Sequence, residues 1–220
     1  MLRLHDYLPS QNAYKVRMLL GHLGLAYETV PVAIFEGESR TSAFLKMNPA
    51  GAVPVLEIGP GRFVAESNAI LCYLAEGTGY MPDERFTRAQ VMQWLFFEQD
   101  YVQPSIATIR HWTMTGKLDR NAAQAPGRRA AGERVLDLLD RHLAGRAFLA
   151  DAGYSIADIA VFAYVHRAEE GGFDLSSRAA LRAWFDRVVA ESDPLPQVHP
   201  YSIDPYSHRS LPVEPETPAA

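Results

Sequence analysis

Residues 48–71, NPAGAVPVLEIGPGRFVAESNAIL, decide the fold of the first part of the chain. Their segment VPVLEI, at 53–58, predicts a strand, and the GPG that follows predicts a hairpin turn into a second strand over 63–65. From Ser67 onward, apolar residues recur at helical spacing. The stretch therefore predicts a β-hairpin that is followed directly by a helix.

The residues before this stretch predict two strands and two helices in alternation. Residues 2–7 alternate apolar and polar side chains, and YETVPV at 27–32 reads as a second strand. Between them, apolar residues recur at i, i+3, i+4 and i+7 from Val16 to Leu23, which is typical of one buried helix face. A short helix is expected at 43–47. The order β-α-β-α-β-β-α predicts a small mixed sheet with helices on its faces.

The residues after the stretch change character beyond a Gly- and Pro-containing linker. Four segments carry helical periodicity with little strand signal: 84–115, 126–144, 156–170 and 178–192. Pro104 should kink or interrupt the first of them. We therefore expect an α/β domain, an all-helical domain and an extended Pro-rich tail, over residues 1–78, 84–195 and 196–220 respectively.

Composition narrows the classes of function. The net charge is −5, with both signs interspersed, so no basic stripe offers the phosphate neutralisation that nucleic-acid binding needs. Cys72 is the single cysteine, which excludes an intrachain disulfide and a CxxC pair, and the histidines show no metal-ligand spacing. No apolar run resembles a signal peptide or a bilayer span. We expect a cytoplasmic protein without a metal or a membrane partner.

The loop Ser10-Gln11-Asn12 is the first candidate for chemistry. It precedes a predicted helix, whose free N–H groups and dipole favour an anion. A hydroxyl at that point can donate to a thiolate and lower the pKa of a bound thiol. The alternative is that Ser10 or Asn12 only caps the helix, which is the commoner role of such residues.

Two further pairs have both a structural and a functional interpretation. Pro54 after Val53 is either an ordinary first residue of a strand or a cis proline that turns the Val53 backbone toward a peptide-like ligand. Ser67 is expected to cap the helix that it opens, and Glu66 lies beside it. Together they can receive the carboxylate and the ammonium of an α-amino acid head, or form a cap beside a solvated acid.

Other motifs predict structure rather than chemistry. Ser155 and Asp158 stand in the relation of a capping box, and Cys72 lies among apolar helix neighbours as a packed thiol. Five aromatic residues follow helical spacing in part, so we expect most of them in the core and some in an apolar pocket that faces the first domain: Trp94, Phe96, Phe97, Tyr101 and Trp112. Arg110 and His111 are the expected polar members of that pocket.

The order of these motifs resembles that of cytosolic glutathione transferases over roughly residues 2–195. The shared pattern is a loop serine before the first helix, NPxxxVPVL, ESNAIL, and a helical domain that contains SIADI. The loop SQNAYKVR is similar to the SSCSxRVR-type loop of the zeta class and the TPNxxK-type loop of the nu class. Tyr7 precedes this loop without the pattern of the tyrosine-dependent classes. The resemblance implies a bacterial subfamily near the zeta and nu classes.

The resemblance also implies a thioredoxin-like first domain, an all-α second domain and a glutathione site. Ser10 matches the hydroxyl that donates to the glutathione sulfur, and Asn12 is the neighbouring donor. The Val53–Pro54 bond is implied to be cis, with the Val53 backbone pairing with the cysteinyl part of glutathione.

The same resemblance assigns the two ends of glutathione. Glu66 and Ser67 are implied to hold the γ-glutamyl head, and Arg40 or Ser39 lies in the segment that meets the glycyl carboxylate. Ala52 stands where related sequences often carry Gln or Lys, which predicts weaker glutathione binding.

These implications define the expected function. We expect a homodimeric glutathione S-transferase that uses glutathione as co-substrate, stabilises its thiolate through Ser10 and Asn12, and directs it at an electrophilic small molecule. A glutathione-dependent disulfide reductase of the nu type and a non-catalytic binding module with the same fold are the alternatives.

Overall fold

The first domain has the predicted order of strands and helices. The computed structural model describes residues 1–192 and 194–202. Its first elements are β1 Leu2–Asp6, α1 Gln11–His22, β2 Tyr27–Pro31, α2 Ser42–Met47, β3 Val55–Gly59, β4 Arg62–Ala65 and α3 Ser67–Ala75. Two short 3-10 turns, Ile34–Glu36 and Glu38–Arg40, occupy the polar segment between β2 and α2.

The four strands form one mixed sheet in the order β2-β1-β3-β4. β1 pairs in parallel with β2 and antiparallel with β3, and β3 and β4 form the hairpin. Leu4 and Leu56 pack into the core with α1 and α3, whereas Val55 packs with Phe44 of α2 in a smaller cluster. Helices therefore cover both faces of the sheet. The chain leaves the central strand β1 directly into the loop that contains Ser10.

The second domain is helical. Its elements are α4 Arg85–Phe97, a π-helical segment Glu98–Ala107, α5 Thr108–Met114, α6 Ala125–Leu143, α7 Ile156–Val165 and α8 Ala179–Glu191. Pro104 lies inside the π-helical segment, where its nitrogen has no proton to donate. The predicted interruption of the helix at this proline is therefore confirmed.

One predicted helix boundary is wrong. The helix expected over 156–170 ends at Val165 and is followed by a 3-10 turn, Ala168–Gly171. Arg167, with φ −110° and ψ 16°, leaves helical geometry, and Gly172 adopts a left-handed φ of 79°. Periodicity shows only which face of a helix is apolar. The apolar pattern therefore continues past Val165, where the helix ends.

The two domains share one hydrophobic core. Every residue of α7 is buried, and α7 packs against α1 of the first domain as well as α4 of the second. The predicted capping box at the start of α7 is confirmed: the Asp158 carboxylate accepts from the Ser155 N–H at 3.1 Å and the Ser155 hydroxyl at 3.3 Å. It also accepts from the Leu149 N–H at 3.0 Å and the Trp184 indole at 2.9 Å.

The segment after α8 reaches back to the first domain. Residues 194–202 contain neither helix nor strand. The ring of Tyr201 packs 5.8 Å from that of Tyr7 and 5.4 Å from that of His111. The remainder of the predicted tail, 203–220, lies outside the described residues, and the domain limits stay a prediction. Within the described part of the chain, no helix has the length and apolar character of a bilayer-crossing segment.

Candidate active site

Ser10 lies at the N-terminus of α1, directly after the loop that leaves β1. Its Oγ accepts from the Ala13 N–H at 3.3 Å, and its own N–H donates to the Tyr7 carbonyl at 2.7 Å. The predicted capping role of Ser10 is therefore confirmed. Because Oγ serves the cap as an acceptor, the hydroxyl proton stays available for an acceptor in the cleft.

A cleft of about 570 Å³ opens in front of Ser10. This volume falls in the range of small-molecule sites, roughly 300–1,000 Å³. The cleft brings together three of the predicted site residues, Ser10, Arg40 and Val53, and Ala52 and Ser39 also line it. The rest of its wall consists of Tyr7, Ile34, Phe35, Glu36, Gly37, Gly51, His111, Lys117 and Tyr201.

A second, smaller cavity of about 280 Å³ meets the first at Ser10. Both cavities also share His111 and Tyr201 as lining residues. The second cavity is lined further by Asn12, Gln103, Ala107, Thr108, Arg110, Trp112 and Tyr164. The predicted pocket facing the first domain is thus mainly polar rather than apolar.

The turn before β3 shapes one side of the larger cleft. The Val53–Pro54 peptide bond is cis, as the resemblance implies. The Arg40 guanidinium donates to the Ala50 carbonyl at 3.0 Å. Gly51 has a φ of 62°, and a Cβ on it would lie 2.9 Å from the Ser39 carbonyl oxygen. A glycine is favoured at this position because both the left-handed backbone conformation and the close approach of the Ser39 carbonyl oppose a side chain.

Glu66 and Ser67 line neither of the two cavities, and one prediction about them is wrong. Glu66, not Ser67, occupies the N-cap position of α3, and Ser67 is the first helical residue. The reason is the backbone of Glu66, whose φ of 67° turns the chain out of β4 one residue earlier. The Ser67 hydroxyl instead donates to Asn12 Oδ1 at 3.2 Å, so that it is linked to the loop of Ser10.

A buried ion pair beneath this loop was not predicted. Lys15 Nζ lies 2.9 Å from Glu98 Oε2, and both side chains have no exposed surface. Burial lowers the pKa of Lys15, and Glu98 opposes that effect. Lys15 also donates to the Ser67 hydroxyl at 3.3 Å and to Asn68 Oδ1 at 3.3 Å. The signal in the sequence is that Lys15 precedes Leu19 and Leu23 by four and eight residues, which places a charge on an apolar helix stripe.

Tyr201 is a second residue that the sequence did not identify. The Arg110 guanidinium lies 5.5 Å from the centre of its ring, and burial raises the pKa of Tyr201 to about 12 against the influence of Arg110. The phenol is therefore a neutral donor at physiological pH. The hydroxyl of Tyr7, which the sequence pattern set aside, is buried beside the cleft without a hydrogen bond to any described residue.

The five aromatic residues and Cys72 lie in different environments. Trp94 is buried and Trp112 lines the smaller cavity, but Phe96 and Tyr101 are 61% and 55% exposed, so their predicted places in the core or the pocket are wrong. Hydrophobic spacing alone does not say which aromatic residues another element covers. Cys72 is half-buried, with Sγ 3.8 Å from the Met92 sulfur, and lines neither of these two cavities.

Fold and site together define the class. A mixed four-stranded sheet of this topology, a cis proline before β3 and a helical second domain make a two-domain protein with a thioredoxin-like first domain. The family model "Glutathione S-transferase, N-terminal domain" matches residues 1–76, and "Glutathione S-transferase, C-terminal domain" matches residues 122–187. The chain belongs to the glutathione S-transferase family.

Individual relatives differ in their stated activities. Maleylacetoacetate isomerase of Rhizobium meliloti (strain 1021) is 32% identical over 92% of this chain and 97% of its own length. Disulfide-bond oxidoreductase YfcG of Escherichia coli (strain K12) is 27% identical over 83% and 87%. The crystal structure of a possible glutathione S-transferase from Rhodopseudomonas palustris superimposes with a TM-score of 0.84 at 42% identity, and covers 86% of this chain and 94% of that one.

Proposed function

We propose that this chain is a glutathione S-transferase that binds glutathione in the 570 Å³ cleft and stabilises its thiolate through Ser10, assisted by Asn12. The observation that carries the proposal is the position of Ser10, a capping residue whose hydroxyl lies where the larger cleft meets the smaller cavity. The cysteinyl and glycyl parts of the tripeptide occupy the larger cleft, and the γ-glutamyl head extends beyond it to Glu66 and Ser67. The second substrate occupies the smaller cavity. The N-terminus of α1 favours the negative charge of the sulfur.

The chemistry follows from the acidity of the thiol. A free thiol has a pKa of about 8.5, so that only a few per cent is thiolate at neutral pH. A hydrogen bond from Ser10 to the charged form lowers that pKa. The thiolate then attacks an electrophilic carbon, a sulfur–carbon bond forms, and a leaving group departs with the electron pair of the bond that breaks.

The remaining predicted residues are assigned to the ends of glutathione. Arg40 meets the glycyl carboxylate, and the Val53 backbone pairs with the cysteinyl unit. Glu66 and Ser67 receive the γ-glutamyl head. A hydrogen bond of 3.2 Å between Ser67 and Asn12 supports this order along the tripeptide, because it puts the head group beside the thiol site.

Calorimetric titration with glutathione, followed by turnover of 1-chloro-2,4-dinitrobenzene, tests the proposal. We expect saturable binding and formation of the aryl conjugate. Binding without turnover of any electrophile would leave the non-catalytic module as the function. Absence of binding would contradict the proposal itself.

Disulfide reduction is the second candidate, and the polar wall of the smaller cavity favours it. Gln103, Arg110 and Tyr201 line that cavity, and they suit a second peptide-like thiol better than an apolar ring. The glutathione thiolate attacks one sulfur of a disulfide and releases the other as a thiolate, and a second glutathione completes the exchange by forming oxidised glutathione. Faster turnover of bis(2-hydroxyethyl) disulfide than of the aryl chloride would favour this activity over conjugation.

We also propose that the chain forms a homodimer. Phe86 and Phe96 of α4 and Tyr101 of the π-helical segment expose more than half of their surfaces. Large aromatic residues that remain exposed on one domain are typical of an association surface. Sedimentation equilibrium should give twice the mass of the chain, and a monomer at micromolar concentration would contradict this proposal.

A further inference from the structure

Two charged side chains fix the direction of the hydrogen bonds beneath the site. Lys15 ammonium only donates and Glu98 carboxylate only accepts, and neither side chain is exposed. The Asn68 amide is oriented accordingly: its Oδ1 accepts from Lys15 at 3.3 Å and its Nδ2 donates to Glu98 Oε2 at 3.0 Å. The orientation of the neighbouring amide groups is therefore determined by their partners.

Gln103 of the second domain extends these hydrogen bonds to Asn12 of the first domain. Its Nε2 lies 2.8 Å from Glu98 Oε1 and 2.8 Å from Asn12 Oδ1. Because Glu98 accepts, the amide nitrogen of Gln103 must face it, and its second proton is directed at Asn12. Asn12 therefore presents its oxygen, not its nitrogen, to Gln103.

The hydroxyl of Ser67 is placed to support the same orientation. Lys15 donates to Ser67 Oγ at 3.3 Å, so the proton of Ser67 is free to be donated elsewhere. It is directed at Asn12 Oδ1, 3.2 Å away. Two donors thus converge on one oxygen of Asn12. A flipped amide would oppose the Gln103 N–H with a second N–H and would require the Ser67 hydroxyl to rotate.

We propose that Gln103 is a positioning residue, which turns the Asn12 amide so that its N–H groups point into the active-site cavity at the glutathione sulfur. Asn12 lines the smaller cavity next to Ser10, and its oxygen is engaged on the protein side. The thiolate consequently receives donors from two side chains, Ser10 and Asn12. This inference rests on the proposed glutathione site. It gives Gln103, a residue of the second domain, a part in activating the thiol.

The proposal gives a specific readout, the pKa of the glutathione thiol bound to the enzyme. Thiolate absorbance of the enzyme–glutathione complex is measured against pH for the wild type, Gln103→Leu, Asn12→Ala and the double variant. We expect Gln103→Leu to raise the pKa of the bound thiol by about 1, since one donor to the anion becomes misaligned. In the Asn12→Ala background, Gln103→Leu should have no further effect.

Two additional variants keep the test decisive. Gln90→Leu is the matched control, since the Gln90 amide donates to the carboxylate of Asp151 at 2.9 Å outside the network, and it should leave the pKa of the bound thiol unchanged. Gln103→Met retains the length of the side chain without an N–H donor, and should raise that pKa about as far as Gln103→Leu.

The outcomes separate this inference from the proposed function. If the wild type binds no glutathione or does not lower the pKa of its thiol, the proposed function fails. If the wild type lowers that pKa and both Gln103 variants retain the lowered value, or if the effects of Gln103→Leu and Asn12→Ala add, the positioning role is overturned.

Discussion

Ser10 has a structural task and, in the proposed function, a chemical one. Its oxygen accepts from the Ala13 N–H and so completes the first turn of α1. In the proposed function its proton is donated to the glutathione sulfur. The two tasks respond differently to substitution, because the cap affects the free energy of unfolding and the proton affects the reaction. This residue therefore offers the simplest separation of structure from chemistry.

Ser10→Ala should lower kcat by about ten- to a hundredfold, which corresponds to one hydrogen bond to a charged group. The lost cap should reduce the free energy of unfolding by about 1 kcal/mol. Steady-state kinetics and denaturant unfolding measure the two effects. Ser10→Thr, which keeps the hydroxyl, is the control. Unchanged turnover in Ser10→Ala would show that Asn12, and not Ser10, stabilises the thiolate.

Lys15→Met should destabilise the protein strongly. The substitution leaves the Glu98 carboxylate buried with no exposed surface and no cation, and breaking such a pair costs about 3–5 kcal/mol. Urea unfolding provides the measurement. Lys46→Met, at an exposed lysine of α2, should change the free energy of unfolding by less than about 0.5 kcal/mol. An equally small effect of Lys15→Met would show that the pair is not structurally required.

Among the elements, α7 holds the two domains together and depends on both of its ends. Asp158 at its start accepts four hydrogen bonds, from donors in three segments of the second domain. His166 at its end stacks on Phe162, with ring centroids 4.2 Å apart, and on Tyr14 of α1. A change at either end should therefore affect the whole core.

Asp158→Ala should lower the free energy of unfolding by about 3 kcal/mol or more, because several buried donors lose their acceptor together. Thermal unfolding followed by circular dichroism measures the loss. Asp151→Ala, at an exposed carboxylate that accepts from Gln90, is the matched control and should have little effect. Equal melting temperatures for the two variants would be incompatible with this role of Asp158.

His166 should make the protein acid-sensitive. Burial lowers the pKa of His166 to about 4 from 6.5, so the folded state binds the proton less tightly than the unfolded chain does. The stability that this neutral group contributes is complete above about pH 6.5 and is lost as the pH falls toward about 4. The difference amounts to about 3 kcal/mol.

Unfolding free energies of the wild type and His166→Phe, measured from pH 7 to pH 4, test this expectation. The phenyl ring keeps the stacking but cannot be protonated. The wild type should lose more stability than the variant on acidification. Parallel curves would show that His166 does not titrate in this range.

Local sequence patterns predicted most of these elements, and long-range packing decided the rest. The hairpin at 53–65 and the capping box of α7 carry their own turn and cap residues, so they could be predicted without knowledge of the fold. The end of α7 at Val165 could not, because the apolar pattern continues past it. Phe96 keeps helical spacing but remains exposed because no described element covers it.

In the whole molecule, the site is assembled from both domains and from the segment after α8. Ser10 and the Val53–Pro54 pair could be singled out because each lies in a short motif of the first domain. Arg40 could be given only as an alternative to Ser39, because no motif marks that segment. Gln103 and Tyr201 could not be singled out, because they reach the site only through packing of distant parts of the chain. The loop that contains Ser10 and Asn12 is thus supported by the second domain, through the ion pair of Lys15 with Glu98 and the hydrogen bond of Gln103 with Asn12.

The pKa of the thiol of enzyme-bound glutathione, from thiolate absorbance against pH, tests the central claim most directly. For the wild type we expect a value at least about 1 below the 8.5 of a free thiol, and a return toward 8.5 in Ser10→Ala. Bound glutathione with an unshifted thiol pKa in the wild type would contradict the claim that this site activates a thiol.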